Sequence, residues 1–150
     1  MKKFALIDNN GEVKGEIHPA DDNVITDGNT DPNNILWIYK EIPESIWVGF
    51  NSDRYWWNGT EWSTRNLKPS NNHNWRNGEW IVNGESLWEE IRNKRNLLLS
   101  NSDWTQVVDA PVTEAKKQEW QTYRTQLRDI PQENPGVSFV SDVSWPTPPA

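Results

Sequence analysis

Asp27, Asn29 and Asp31 alternate along the chain as the opening ligands of a calcium loop do. An EF-hand loop then needs Gly at its sixth position for a sharp turn and Glu at its twelfth as a bidentate ligand. Pro32 and Ile38 stand there instead, so the segment reads as a solvated turn. The carboxylate pairs Asp21-Asp22 and Glu89-Glu90 could supply an acid and a base. Neighbouring positions on a helix do not face each other, however, and such pairs usually sit on a wet face. His18 and His73 are the only histidines, and neither has metal-ligand spacing or lies near a nucleophile elbow. The chain has no cysteine, hence no thiolate site and no disulfide framework. It also has no phosphate-binding glycine loop. These residues argue against an enzyme, and no catalytic residue, cofactor or metal is expected.

Composition limits the partners. The formal charge is −7 over 150 residues and there is no basic run, a poor match to nucleic acid or an anionic membrane. After Met1-Lys2-Lys3 the apolar run Phe4–Ile7 is too short for a signal peptide. The chain therefore reads as made in a cytoplasm, and the sequon Asn58-Gly59-Thr60 as idle. Hydrophobic residues make up only 34% and the mean hydropathy is −0.91, so a monomer would have a thin core. Eleven tryptophans nonetheless exclude a disordered chain. Large rings with a polar edge suit small cores and interfaces, and flat rings also stack on sugar faces. Packing and partner burial is the first reading of this surplus, and sugar binding the second.

The chain reads as α+β, with a β-rich region over residues 1–84, divisible at 42/43, and a helical domain over 85–150. Phe4–Ile7 and Val13–Ile17 flank Asn10-Gly11, which predicts a hairpin closed by a type I′ turn. Residues 19–34 read as loop. Ile35–Tyr39 and Ile46–Phe50 are apolar at consecutive positions, predicting two strands covered on both faces and joined around Pro43. Two hairpins then echo each other, Tyr55–Trp62 and Asn74–Trp80, each placing Asn-Gly between tryptophans. Together they predict a Trp-rich antiparallel meander. Asn83-Gly84 marks the switch to a helix from about Ser86 to Leu99, and a polar loop from Ser100 to Val108 leads to a second helix over Glu114–Asp129. Trp120, Tyr123, Leu127 and Ile130 form one apolar stripe on that helix, Thr113 can cap it, and Pro131 is expected to end it. The two helices make a hairpin with the Pro-rich tail from Pro135 to Pro149 laid across it.

One string carries a family resemblance. It runs Ser102-Asp103-Trp104-Thr105-Gln106, Asp109-Ala110-Pro111, Trp120 with Tyr123-Arg124, Leu127-Arg128-Asp129-Ile130-Pro131 and Trp145-Pro146. Over about residues 90–147 it resembles the C-terminal domain of phage tail assembly chaperone proteins. Asp103-Trp104-Thr105 within it suits either maintenance of the hairpin or direct contact with a partner. The resemblance implies a bacteriophage protein that chaperones virion assembly, with a tail fibre protein as its client. Such fibres are usually trimers, which implies equal numbers of chaperone and fibre chains. The site of action would be the host cytoplasm during assembly, or the virion tail if the complex persists.

Residues 1–84 carry no such resemblance. Their two Trp-rich hairpins hold more rings than they can bury alone, since alternate strand residues face opposite ways. Trp56, Trp57, Trp62, Trp75 and Trp80, followed by Tyr55 and Arg76, are the candidate partner-binding residues. The alternative reading is a virion adhesin that holds host surface glycans through the same rings.

Overall fold

The computed structural model describes residues 2–17 and 27–150. His18 and the Asp21-Asp22 pair lie outside them. The chain is α+β and divides into two compact units, Met1–Ile81 and Val82–Ala150.

The first unit is built on a four-stranded antiparallel sheet of β1 (Lys3–Ile7), β2 (Val13–Ile17), β3 (Thr30–Asp31) and β4 (Asn34–Ile42), in the order β2-β1-β4-β3. Central β1 buries Phe4, Ala5 and Ile7, the near-continuous apolar run expected of a strand paired on both sides. The first hairpin forms, but its turn is not type I′. Gly11 has φ +74° whereas Asn10 is not left-handed. The loop closes instead through Asp8, whose Oδ1 accepts from the backbone N–H of Asn10 at 2.8 Å and of Glu12 at 3.0 Å. This Asx closure leaves only one residue to adopt positive φ.

Four further expectations for this unit need correction. Residues 19–34 are not all loop, since β3 lies within them. Asp31 is buried rather than solvated, accepting from Asn33 N at 3.0 Å and from the Tyr39 hydroxyl at 3.4 Å. Ile46–Phe50 is not a strand. After Pro43 the chain makes a 3-10 turn over Glu44–Ile46, and the Trp47 indole donates back to Ile42 O at 2.6 Å. That bond turns the run back onto the end of β4 instead of extending it as a strand. Nor are both apolar runs covered on two faces: Ile35, Leu36 and Val48 are exposed.

β5 (Tyr55–Trp57) pairs with β6 (Trp62–Thr64), and β7 (His73–Arg76) with β8 (Glu79–Val82). Each hairpin is its own two-stranded sheet, so there is no continuous meander. The second has the two-residue turn that suits the right-handed twist of strands, with Asn77 at φ +49° and Gly78 at +88°.

In the second unit Asn83 caps α1 (Gly84–Asn101), its side chain accepting from Ser86 N. Thr113 caps α2 (Glu114–Glu133) through Lys116 N at 3.2 Å. Leu87 and Ile91 of α1 pack with Tyr123, Leu127 and Ile130 of α2, and Val143 of the tail completes the core. The connection holds a 3-10 turn over Asp103–Gln106 rather than plain loop. Pro131 does not end α2, which continues to Glu133. Its missing N–H costs one bond at the final turn. Ile130 is nevertheless kept helical by burial, and both the N–H and side-chain Nδ2 of Asn134 donate to Ile130 O, at 3.1 and 2.9 Å. The tail is not wholly extended, since Val140–Asp142 forms a 3-10 turn between Val137 and Trp145, which both pack on the core.

Arg124 ties the elements together. It is buried, its Nη1 donates to Leu99 O and to Ser102 Oγ at 2.7 Å each, and Nη2 pairs with Asp103 Oδ1 at 2.7 Å. Arg124→Met is expected to lower the unfolding free energy by about 2–3 kcal/mol, because two buried oxygens lose a charged donor. Asp103→Asn, at the exposed end of the pair, is expected to cost under about 1 kcal/mol. Trp120→Ala falls near 2 kcal/mol, roughly half the usual loss for a fully buried ring because Trp120 is half-buried. Lys117→Ala is expected to change little. Urea unfolding of the four variants checks the order, and an Arg124→Met curve superimposable on the parent's would remove the guanidinium from this role.

Candidate partner-binding site

The hairpin tryptophans of the first unit interlock in two groups. In one, Trp75 stands edge-on between Trp56 and Trp80, with centroids 5.1 Å apart in each pair. The Arg65 guanidinium lies 4.8 Å from the Trp75 ring and 4.7 Å from the Trp80 ring. It also donates to Asp53 O and Ser52 O and pairs with Glu12 at 3.2 Å. In the other group, Phe50 stacks on Tyr55 at 5.3 Å and meets Trp62 edge-on at 5.2 Å. Trp57 stands against Trp62 at 5.7 Å and carries the Lys40 ammonium 4.6 Å from its ring.

Indole N–H groups fix several of these rings. Trp62 Nε1 donates to Glu41 O at 2.8 Å and Trp80 Nε1 to Asn66 O at 2.9 Å. Of the seven residues the sequence singles out, Trp75 is buried, with 6% of its surface exposed. Tyr55, Trp56, Trp57, Trp62 and Trp80 are half-buried, and Arg76 is exposed. Trp56, Trp75 and Trp80 come together in one group, Tyr55, Trp57 and Trp62 in the other, and Arg76 enters neither. Sequence reasoning missed Arg65, Phe50 and Lys40. A cation among closely spaced tryptophans was the available signal for Arg65, but nothing in its spacing shows that it is enclosed.

The turns of this unit converge. A groove of about 520 Å³ is lined by Trp56 and Trp57 and by residues of all three Asn-Gly turns: Asn10-Gly11, Asn58-Gly59 and Asn77. At Gly11 a Cβ would fall 1.8 Å from Trp57 O, and the Gly11 carbonyl accepts from Trp57 N at 2.9 Å. Only glycine allows that approach. Beneath the sheet, Asp27 and Asp31 are taken up by Glu41 N, Lys40, Asn33 and Tyr39. Burial, and then the nearby Asp31 charge, raises the Tyr39 hydroxyl pKa. Among the described residues no group of three or more His, Asp or Glu could hold a metal ion, and no helix is long and apolar enough to cross a membrane.

The second unit exposes apolar side chains more openly. Trp104 is 48% exposed while touching Trp120 edge-on at 6.1 Å. Val107 is half exposed and Val108 fully so. The Asp103-Trp104-Thr105 string thus does two things. Asp103 meets Arg124 and Thr105 is fully buried, donating to Ser102 O at 2.7 Å, whereas Trp104 faces outward.

No curated protein and no solved structure matches the chain. Its C-terminal part does match a family: residues 88–150 fit the model of the phage tail assembly chaperone protein.

Proposed function

We propose that this chain is a non-enzymatic chaperone for the assembly of a trimeric phage tail fibre, acting in the host cytoplasm with one copy per fibre chain. The match of residues 88–150 to tail assembly chaperones supports a role in tail assembly. The observation that points to the client surface is the open Trp104 beside Val107 and Val108 within that matched segment. An exposed tryptophan is the kind of side chain that dominates binding energy at an interface, and the open valines beside it extend its apolar area. The half-buried rings Trp56, Trp57, Trp62 and Trp80, with Tyr55 and Arg76, offer a second, less open contact, and buried Trp75 supports them from within.

The physical task is clear from the client. A trimer has to lose chain entropy and associate before its long-range contacts form, and its apolar ends stay exposed meanwhile. Covering those ends suppresses misassociation while the trimer closes.

Co-expression with the adjacent fibre gene, followed by size exclusion, tests this reading. The fibre alone is expected to aggregate, and with the chaperone to elute as a soluble trimer. Equal yields of trimer with and without the chain would overturn the role. Val108→Asp serves as the surface probe. Its side chain is fully exposed, so stability should change by no more than about 0.5 kcal/mol, while a charge set into an apolar contact should abolish co-purification of the fibre. Retained co-purification by folded Val108→Asp and Trp104→Ala would move the client to the rings of the first unit.

A further inference from the structure

We propose that the first unit carries a binding site for a neutral saccharide in the groove where its three Asn-Gly turns meet. The site does not depend on the chaperone reading; Trp56 and Trp57, which that reading holds only as a second client contact, line it together with turn residues that reading does not use. Its volume, about 520 Å³, falls within the roughly 300–1,000 Å³ usual for small-molecule sites.

The lining supplies two complementary chemistries. Trp56 and Trp57 are half-buried and both line the groove. An indole covers the C–H face of a pyranose and keeps its polar edge free. Around them stand Asn9, Asn10, Asn58 and Asn77. Asn58 is committed internally, accepting from Thr60 N and Glu61 N and donating to Ser63 Oγ. Asn9, Asn10 and Asn77 are exposed, and their side-chain amides form no hydrogen bond among the described residues. Each therefore offers a donor and an acceptor side by side, the pairing that adjacent hydroxyls need because each hydroxyl both donates and accepts.

Other ligand classes fit less well. No Lys or Arg lines the groove, and its one ionised group, Asp8, is paired with Lys14 at 3.0 Å. A phosphate or sulfate would meet no Lys or Arg among the described lining residues, and the Lys40 ammonium against the Trp57 ring is already paired with Asp27 at 3.1 Å. A wholly apolar ligand would strand the amides, which costs free energy on desolvation. A peptide added as a strand requires an unpaired sheet edge, whereas these walls are mostly turns. The groove is also preformed, because Gly11 locks the first turn onto β5 through the 2.9 Å bond from Trp57 N. Preformed walls spare a weak ligand the cost of ordering them.

The test is a titration of the full-length ¹⁵N-labelled chain with glucose, galactose, N-acetylglucosamine and maltose. The indole signals of Trp56 and Trp57 and the amides of Asn9, Asn10 and Asn77 should shift together for at least one sugar, with a Kd on the order of 1 mM. Asn9→Ala and Asn77→Gly preserve the turns, since Asn9 is exposed and glycine accepts the φ of +49° found at Asn77. Each is expected to weaken binding by about threefold to tenfold, the effect of one lost hydrogen bond. The proposal is overturned if none of the four sugars shifts these signals, or if the shifts fall on other tryptophans. Unchanged affinity in both folded asparagine variants would overturn it too. So would shifts caused only by an uncharged blocked tripeptide, which would make the groove a peptide site.

Discussion

The Arg124 guanidinium holds the last turn of α1, the connecting turn and the middle of α2 in register through Leu99 O, Ser102 Oγ and Asp103 Oδ1. A planar fork with fixed donor directions can satisfy three oxygens at once, which a lysine ammonium on a flexible stem does not reproduce. Ser102 adds to this, its hydroxyl donating to Leu99 O at 2.8 Å. The first unit contains the comparable device. Arg65, with 5% of its side chain exposed, is neutralised by Glu12 and donates to two backbone carbonyls while two indoles enclose its plane. In each unit one carboxylate and two neutral oxygens, two carbonyls for Arg65 and a carbonyl and a hydroxyl for Arg124, saturate a buried cation, the arrangement under which enclosing a charge costs least.

Scarcity of aliphatic side chains explains why such devices are needed. Where a chain with more Leu and Val would stack sheets, this one uses indoles, which bury a large area and bring an N–H that must be satisfied. Trp47, Trp62 and Trp80 each donate that N–H to a backbone carbonyl on another segment. These bonds do part of the work a strand ladder would do, since β5-β6 and β7-β8 are separate sheets. Trp75 and Trp145 are exceptions, each with a buried Nε1 that has no hydrogen-bond partner among the described residues. Each has a cation against its ring, Arg65 and Lys94 respectively, and that attraction offsets part of the loss.

Features set by local rules were legible in the sequence. The switch to helix at Asn83-Gly84, the cap at Thr113, the stripe from Trp120 to Ile130 and the paired Trp hairpins depend on neighbours within a few residues. What escaped depends on distant partners. Ile46–Phe50 has strand composition, but Pro43 leads into a 3-10 turn and the Trp47 indole is drawn back to Ile42 O, a contact its composition does not show. Asn10-Gly11 reads as a two-residue turn until Asp8 offers its carboxylate. Pro131 reads as a stop until burial of Ile130 and capping by Asn134 outweigh one absent bond. Among the candidate site residues, hairpin membership was readable for the five tryptophans, but not which ring would be enclosed. Trp75 became the centre only because Trp56, Trp80 and Arg65 arrive on it from three separate segments.

The exposed chemistry of the two units differs in kind, and that difference bears on what each can hold. Trp104, Val107 and Val108 offer exposed apolar area, a surface that gains by excluding water against another apolar surface. The groove among the Asn-Gly turns offers rings together with unpaired amides, which a purely apolar partner would leave unsatisfied at a cost of about 1–3 kcal/mol for each group. A protein surface with branched and aromatic side chains suits the first surface and is penalised by the amides of the second. A ligand with hydroxyls on its edge and C–H groups on its face has the opposite preference. The segregation follows from the local folds that expose each set. Tight hairpin turns require Asn and Gly for their backbone geometry and so concentrate amides at their tips, whereas the connection between two packed helices can carry apolar residues outward without disturbing a core already closed by Leu87, Ile91 and Leu127.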